Sequence, residues 1–260
     1  MTPPLFPNGT FTPRPGPGSP LRMLAAQSAT ELRLALRHGE QVLLTVLIPI
    51  VLLVGLTLVA VVPLQEPRIA AVAPGVLALA VMSTAFTGQA IALGFDRRYG
   101  VVRRLAATAL PRWLLVAGRL VAVLGVVVLQ VVVLGAIAAA LGWRPEPAGV
   151  GWAVLLVLLG CAAFAALGIL LGGTLRAEIT LAVANLVWFV LLLAGGIVVP
   201  LSQLPGPLAT IAAALPSGAL AEGLRDTLAT GRPPALAAVL VLLAWTAGAS
   251  ALAIRTVRLR

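Results

Sequence analysis

The chain has 260 residues, 60% hydrophobic and only 10% charged, with a mean hydropathy of +1.09. A water-soluble domain carries about 25% charged and about 45–50% apolar residues, so a soluble enzyme, a disordered tail and a disulfide-stapled secreted module are all excluded. The composition is that of a membrane protein. The net charge of +10 comes from 18 arginines, with no lysine, against 8 acids. In an apolar chain such an excess encodes topology, because cytoplasmic loops keep positive charge, and no nucleic-acid partner is expected. The lack of lysine beside abundant Ala, Val, Leu, Gly and Pro points to a GC-rich bacterial genome and hence to a multi-pass protein of the bacterial cytoplasmic membrane. One cysteine, Cys161, inside an apolar run, and one histidine, His38, leave no raw material for a disulfide, a metal site or a haem.

Residues 1–20 carry Pro3, Pro4, Pro7, Pro13, Pro15, Pro17 and Pro20 among Gly, Thr and Ser. This is the composition of an unpacked cytosolic tail and not of a cleavable signal. Residues 21–260 form one transmembrane domain. Its first segment, 21–40, places Leu21, Leu24, Ala25, Ser28, Leu32, Ala35 and Leu36 on one helical face and Arg22, Arg33, Arg37 and Glu40 on another. It reads as an amphipathic helix lying on the cytoplasmic membrane surface, with His38 at the interface.

A helix needs about 20 apolar residues to cross the hydrocarbon core, and six stretches qualify: 41–62, 71–95, 114–141, 150–175, 179–199 and 235–254. No strand-like alternation is present, so the fold class is an all-α integral membrane protein with six transmembrane helices. With the N-terminus in the cytosol, the inner segments hold Arg14, Arg22, Arg33, Arg37, Arg97, Arg98, Arg103, Arg104, Arg112, Arg176, Arg255, Arg258 and Arg260. The outer segments hold only Arg68, Arg144, Arg225 and Arg232. The asymmetry sets an N-in, C-in topology. Arg119, inside the third span, lies close enough to its cytosolic end to snorkel as an anchor.

Five arginines crowd the inner loop between spans two and three. The segment Asp96, Arg97, Arg98, Tyr99, Gly100, Val101, Val102, Arg103, Arg104, Leu105 alternates charged and apolar pairs. That pattern suits a short helix along the membrane that offers its exposed side to a partner. Gly100 permits a sharp turn, and Pro111 pre-sets the next helix. Beyond span five, 201–232 is too apolar for a simple loop and too broken by Pro205, Pro207, Pro216 and Gly218 to cross. Two short helices dipping back into the outer leaflet fit both facts, provided protein covers them. Within that segment Glu222 and Arg225 can pair at i, i+3. Gln89, Gln130, Asn185 and Trp188 are the polar groups deepest in the spans. They suit hydrogen bonds between helices, or the lining of a pathway.

The run FDRRYGVVRRLAATALPRWLLVAGRL, with Asp96, Arg97, Arg98, Gly100, Arg104, Leu105, Thr108, Pro111 and Arg119 in order, resembles the corresponding loop of ABC-2 type transporter permeases, the membrane subunits of a class of ATP-binding-cassette exporters. Gly195, Gly196 and Pro200, then Pro205, Pro216, Glu222, Leu224 and Arg225, resemble the region after span five in the same family. Two departures stand out: Arg98-Tyr99 where the family often has an acid before the Gly, and Val101 and Ala109 where it often has Thr and Pro. The resemblance implies that Asp96–Leu105 docks a separate cytosolic ATPase subunit, which carries the ATP and Mg, so that this chain binds no cofactor and is not itself an enzyme. It implies a second permease subunit, identical or related, and an outer gate around Pro200, Pro205, Pro216, Glu222 and Arg225. Actinobacterial drug and antibiotic exporters are the subgroup it resembles. Membrane lipid is the remaining partner.

The residues bear on the same point from the other side. Without lysine the chain cannot form the phosphate-cradling Gly-x-x-x-x-Gly-Lys-Ser/Thr loop. Apolar spans without deep charges favour a hydrophobic substrate, such as a drug, antibiotic or lipid-like molecule. An ion-coupled secondary transporter or channel would need buried acids, and the six spans contain none. An intramembrane enzyme would need a Ser–His pair, paired Asp or a metal cluster in the bilayer, and the single histidine precedes the first span.

Overall fold

The computed structural model describes residues 18–37, 39–59, 66–107 and 111–257, without the side chains of 39–44, 106 and 112. Most of the proline-rich tail, His38, Thr108, Arg258 and Arg260 therefore lie outside the described residues. Helix follows helix: α1 (Pro20–Arg37), α2 (Gly39–Leu58), α3 (Arg68–Met82), α4 (Gln89–Arg98), α5 (Val101–Ala106), α6 (Arg112–Ala140), α7 (Pro147–Thr174), α8 (Ala177–Ala194), α9 (Gly206–Ala214), α10 (Pro216–Thr230) and α11 (Leu236–Thr256). No strand occurs among the described residues.

Five of these helices are long and apolar enough to cross a membrane: Arg68–Arg98 as one unit, Trp113–Ala140, Pro147–Thr174, Ala177–Ala194 and Leu236–Thr256. They correspond to the last five expected spans. The chain is an all-α integral membrane protein. The expected first span maps to α2, whose described apolar part, Thr45–Leu58, is shorter than a crossing. Residues 60–62 of that span lie outside the described residues.

Helix α7 is the centre of the bundle, packed against α4, α10 and α11. Between membrane helices there is no water to exclude, so close approach of small residues and polar contacts supply the attraction. Accordingly α7 buries Gly149, Gly160, Ala163, Gly168 and Gly172. A Cβ on Gly172 would strike the Ala90 backbone, and one on Gly168 the Phe86 carbonyl.

One expectation is corrected, and the packing of α1 adds to another. Span five does not run to residue 199: α8 ends at Ala194, and Gly196 has φ +66. The carbonyls freed there by the end of the helix are taken by Arg225, as described below. Helix α1 is amphipathic, but its packed stripe is Leu24, Gln27, Ser28, Glu31 and Leu32, partly polar, and it lies lengthwise on α6. Gln27 sits against Gly118 and Leu32 against Gly125. Of the face expected to be apolar, Leu24, Ser28 and Leu32 are packed, while Leu21, Ala25, Ala35 and Leu36 stay exposed.

Candidate functional site

The arginine-rich loop is built at the end of the bundle where α4 stops. Tyr99 closes α4, Gly100 takes a left-handed φ of +69, and the chain re-enters a helix at once as α5. Any residue with a Cβ would be strained at that turn. The short helix expected from the charge pattern is therefore present, and α4 is the element it packs on.

The loop's charges divide into two sets. Asp96 pairs with Arg119 of α6, so Arg119 is an ion-pair partner across two helices and not only an interfacial anchor. Arg97 Nη1 donates to the carbonyls of Gly172 at 2.9 Å and Leu175 at 3.3 Å, the unpaired oxygens at the end of α7. A cation there also meets the negative end of the helix dipole. Arg98 pairs with Glu178 in the first turn of α8, and its guanidinium lies 5.9 Å from the Tyr99 ring. Three consecutive residues thus fasten the end of α4 to α6, α7 and α8. The second set faces outward: Tyr99, Arg103 and Arg104 are exposed, and Val101, Val102 and Leu105 are half-buried. Arg104 donates to the Tyr99 carbonyl at 3.1 Å, bracing the turn.

At the opposite end α9 and α10 form a V hinged at Leu215, with Pro216 starting α10. Gly149 of α7 lies against the Thr227 carbonyl, and Gly160 lies against Leu220. Helix α10 therefore runs beside α7 from its first turn to a depth of about 16 Å, at 1.5 Å per residue. It is buried among α3, α7 and α11, which meets the condition that irregular segments at membrane depth be covered by protein. Trp245 of α11 donates to the Ala214 carbonyl at 2.9 Å and holds the hinge. Pro200 is buried, and Pro205 is exposed just before α9.

Arg225, only 8% exposed, is the tie of this end. Its Nε donates to Ala71 O at 3.1 Å, Nη1 to Gly196 O at 2.7 Å and to Glu222 Oε2 at 3.1 Å, and Nη2 to Ile197 O at 2.5 Å. The local pair with Glu222 was legible in the sequence; the three carbonyls from α3 and the end of α8 were not. Gly75 makes the approach possible, because a Cβ there would collide with the Ile197 carbonyl and the guanidinium.

Between the ends lies a polar layer. Ser83–Gly88 is a π-helical turn that joins α3 to α4 without a break, a feature frequent at functional sites. Thr84 donates to Gln130 Oε1 and Gln130 Nε2 donates to Thr45 O, each at 2.9 Å, while Trp188 donates to Ser83 Oγ at 2.9 Å. Gln130 is wholly buried, Gln89 lies beside Gly168, and Asn185 is exposed on α8. Of the four deep polar residues, Gln130 and Trp188 thus join this layer and Asn185 does not. Ser83 and Thr84 were overlooked; the polar run Ser83, Thr84, Thr87, Gln89 inside an apolar span was the available signal. Replacing Gln130 by Leu is expected to lower bundle stability by about 1 kcal/mol, read as a fall in the melting temperature in detergent. T84V added to Q130L should cost little more, since the pair is one interaction.

Among the described residues no three His, Cys, Asp or Glu side chains come together to hold a metal. The family model for the ABC-2 type transporter matches residues 24–229, most of the chain. The chain belongs to the ABC-2 type transporter family. No curated protein matches it. As a family member it is a multi-pass membrane permease of an ABC transporter, and the permease's matched region takes in both ends described above.

Proposed function

We propose that this permease drives a hydrophobic drug, antibiotic or lipid-like molecule outward across a bacterial cytoplasmic membrane, powered by a separate ATPase subunit that docks on α5. In this reading α2 completes a sixth crossing, and both termini lie in the cytosol. Two permease subunits, identical or related, and two ATPases, which carry ATP and Mg, make the transporter, and this chain performs no catalysis. The observation that carries the reading is the division of charge at the loop. Tyr99, Arg103 and Arg104 face outward on α5, while Asp96, Arg97 and Arg98 are bound to α6, α7 and α8. A protein pressing on α5 would therefore move three long helices together. The resemblance of the loop to the family's docking segment supports the same assignment, as do the loop and the end of α11 lying at one end of the bundle, with Val257 against Gly173.

Mild-detergent purification of the permease from its host should recover an ATP-binding-cassette ATPase. Changing Arg103 and Arg104 to Glu reverses two exposed charges without touching the fastened set. ATPase recovery should fall about tenfold, as expected when interfacial charges are made to repel, with the melting temperature unchanged. Undiminished recovery from the double variant would remove the docking role from α5, and recovery of no ATPase from the unaltered chain would overturn the reading as a whole.

A further inference from the structure

A cleft of about 460 Å³ opens beside the fastened loop, between the end of α4 and the α7–α8 junction. Its walls carry Arg97, Arg98, Arg103 and Arg176 against a single acid, Glu178, and its floor is the chain from Thr174 to Ala177. Four guanidinium groups and one carboxylate leave a local charge of +3. Arg97 is committed to the α7 carbonyls and Arg98 to Glu178. Arg103 and Arg176 are exposed, and their guanidinium groups have no hydrogen bond or ion pair among the described residues, so two fork-shaped donors face the cleft unspent.

Such donors suit a phosphate ester, which accepts paired bonds from arginine. The position of the cleft decides between sources of phosphate. Three helices that are long and apolar enough to cross the membrane begin or end at its edges: the Arg68–Arg98 unit, α7 at Thr174 and α8 at Ala177. This is the depth at which hydrocarbon gives way to headgroups. From its first turn onward α8 exposes Ile179, Leu186, Val190 and Leu193, which fall on one helical face and make an apolar track along which acyl chains can lie while a headgroup occupies the cleft. At about 30 Å³ per water, the volume is that of about fifteen waters, ample for a phosphoglycerol headgroup.

We propose that this cleft is a binding site for an anionic phospholipid, held by Arg103 and Arg176 through its phosphate. Basic pockets between membrane helices recognise acidic headgroups by this chemistry. The site requires only that the permease be membrane-embedded; it shares Arg103 with the docking face proposed on α5, so Arg176, which lies outside α5, carries the test.

The test is lipid retention by the full-length permease, purified and delipidated in mild detergent, then offered phosphatidylglycerol or phosphatidylcholine and weighed intact by native mass spectrometry. The expected result is preferential retention of phosphatidylglycerol. R176Q should weaken that preference about tenfold, the loss of a hydrogen bond to a charged group, whereas R255Q, outside the cleft at the same end, should leave it unchanged. R103Q provides a second reading should R176Q fail to fold. Equal retention of both lipids, or R176Q behaving like R255Q, would overturn the proposal. Displacement of phosphatidylglycerol by inorganic phosphate at similar concentration would assign the cleft to a soluble anion. Lost ATPase recovery in R176Q with unaltered lipid retention would assign it to protein docking. Either outcome also overturns the lipid site.

Discussion

Replacing Arg225 by Met is expected to destabilise the permease by about 3–5 kcal/mol, the cost of removing one member of a buried, hydrogen-bonded charge set. Met keeps most of the apolar stem but leaves the carbonyls of Ala71, Gly196 and Ile197 without their donor and Glu222 without its counter-charge. At membrane depth no water replaces a lost donor cheaply. E222Q should cost far less, because Glu222 is partly exposed and an amide oxygen can still accept from the guanidinium. Gly75→Val attacks the same junction sterically, since its side chain would enter the space of the Ile197 carbonyl and of Arg225. The G75V/R225M double variant should therefore fall short of the sum of the two single effects. Melting temperatures of the four proteins in one detergent give the answer. Near-wild-type melting of R225M would show that the junction is held by packing alone.

Apolar run length was the most legible property. Five expected spans coincide with helices to within about three residues at their starts, because in a bilayer the backbone has few options other than helix. Less legible was everything that depends on a carbonyl meeting a side chain far along the chain. The apolar run through residues 195–199 continued the pattern of span five although Gly195 and Gly196 end the helix; that Arg225, almost thirty residues later, takes the carbonyls beyond the stop was not legible. The π-turn at Ser83–Gly88 was hidden for a similar reason, since hydropathy does not distinguish i→i+5 from i→i+4 bonding. At the loop, the count of five arginines was visible, but not that Asp96, Arg97 and, at the exposed surface, Arg98 are tied to α6, α7 and α8 while Arg103 and Arg104 are not. Side-chain direction follows from the Gly100 turn and from where α6, α7 and α8 end, which are tertiary facts. For α1 the periodicity was real, yet the packed face is set by Gly118 and Gly125 on α6.

The fastened set leads to the second large effect. Under the proposed function, Arg97→Gln should leave ATPase association intact while cutting substrate export about tenfold or more. Each hydrogen bond from a charged donor contributes about 1.5–3 kcal/mol, and Arg97 makes two, to Gly172 and Leu175, joining α4 to the end of α7. Helix α7 in turn carries α10 and α11 at the far end of the bundle. If an ATPase pushes α5, displacement passes through Gly100 into α4 and reaches α7 partly by way of Arg97. Without that fastening α4 can shift while α7 stays, so ATP hydrolysis continues and export does not follow. Arg97→Lys restores the charge and one donor direction but not the fork that reaches both carbonyls, and it should recover export only in part. R103E/R104E, by contrast, should lose ATPase recovery and export together. Export and ATP hydrolysis measured side by side in proteoliposomes separate the two patterns. Parallel loss of both activities in R97Q would place Arg97 in docking, and unchanged export would show that α4 and α7 move as one body without it.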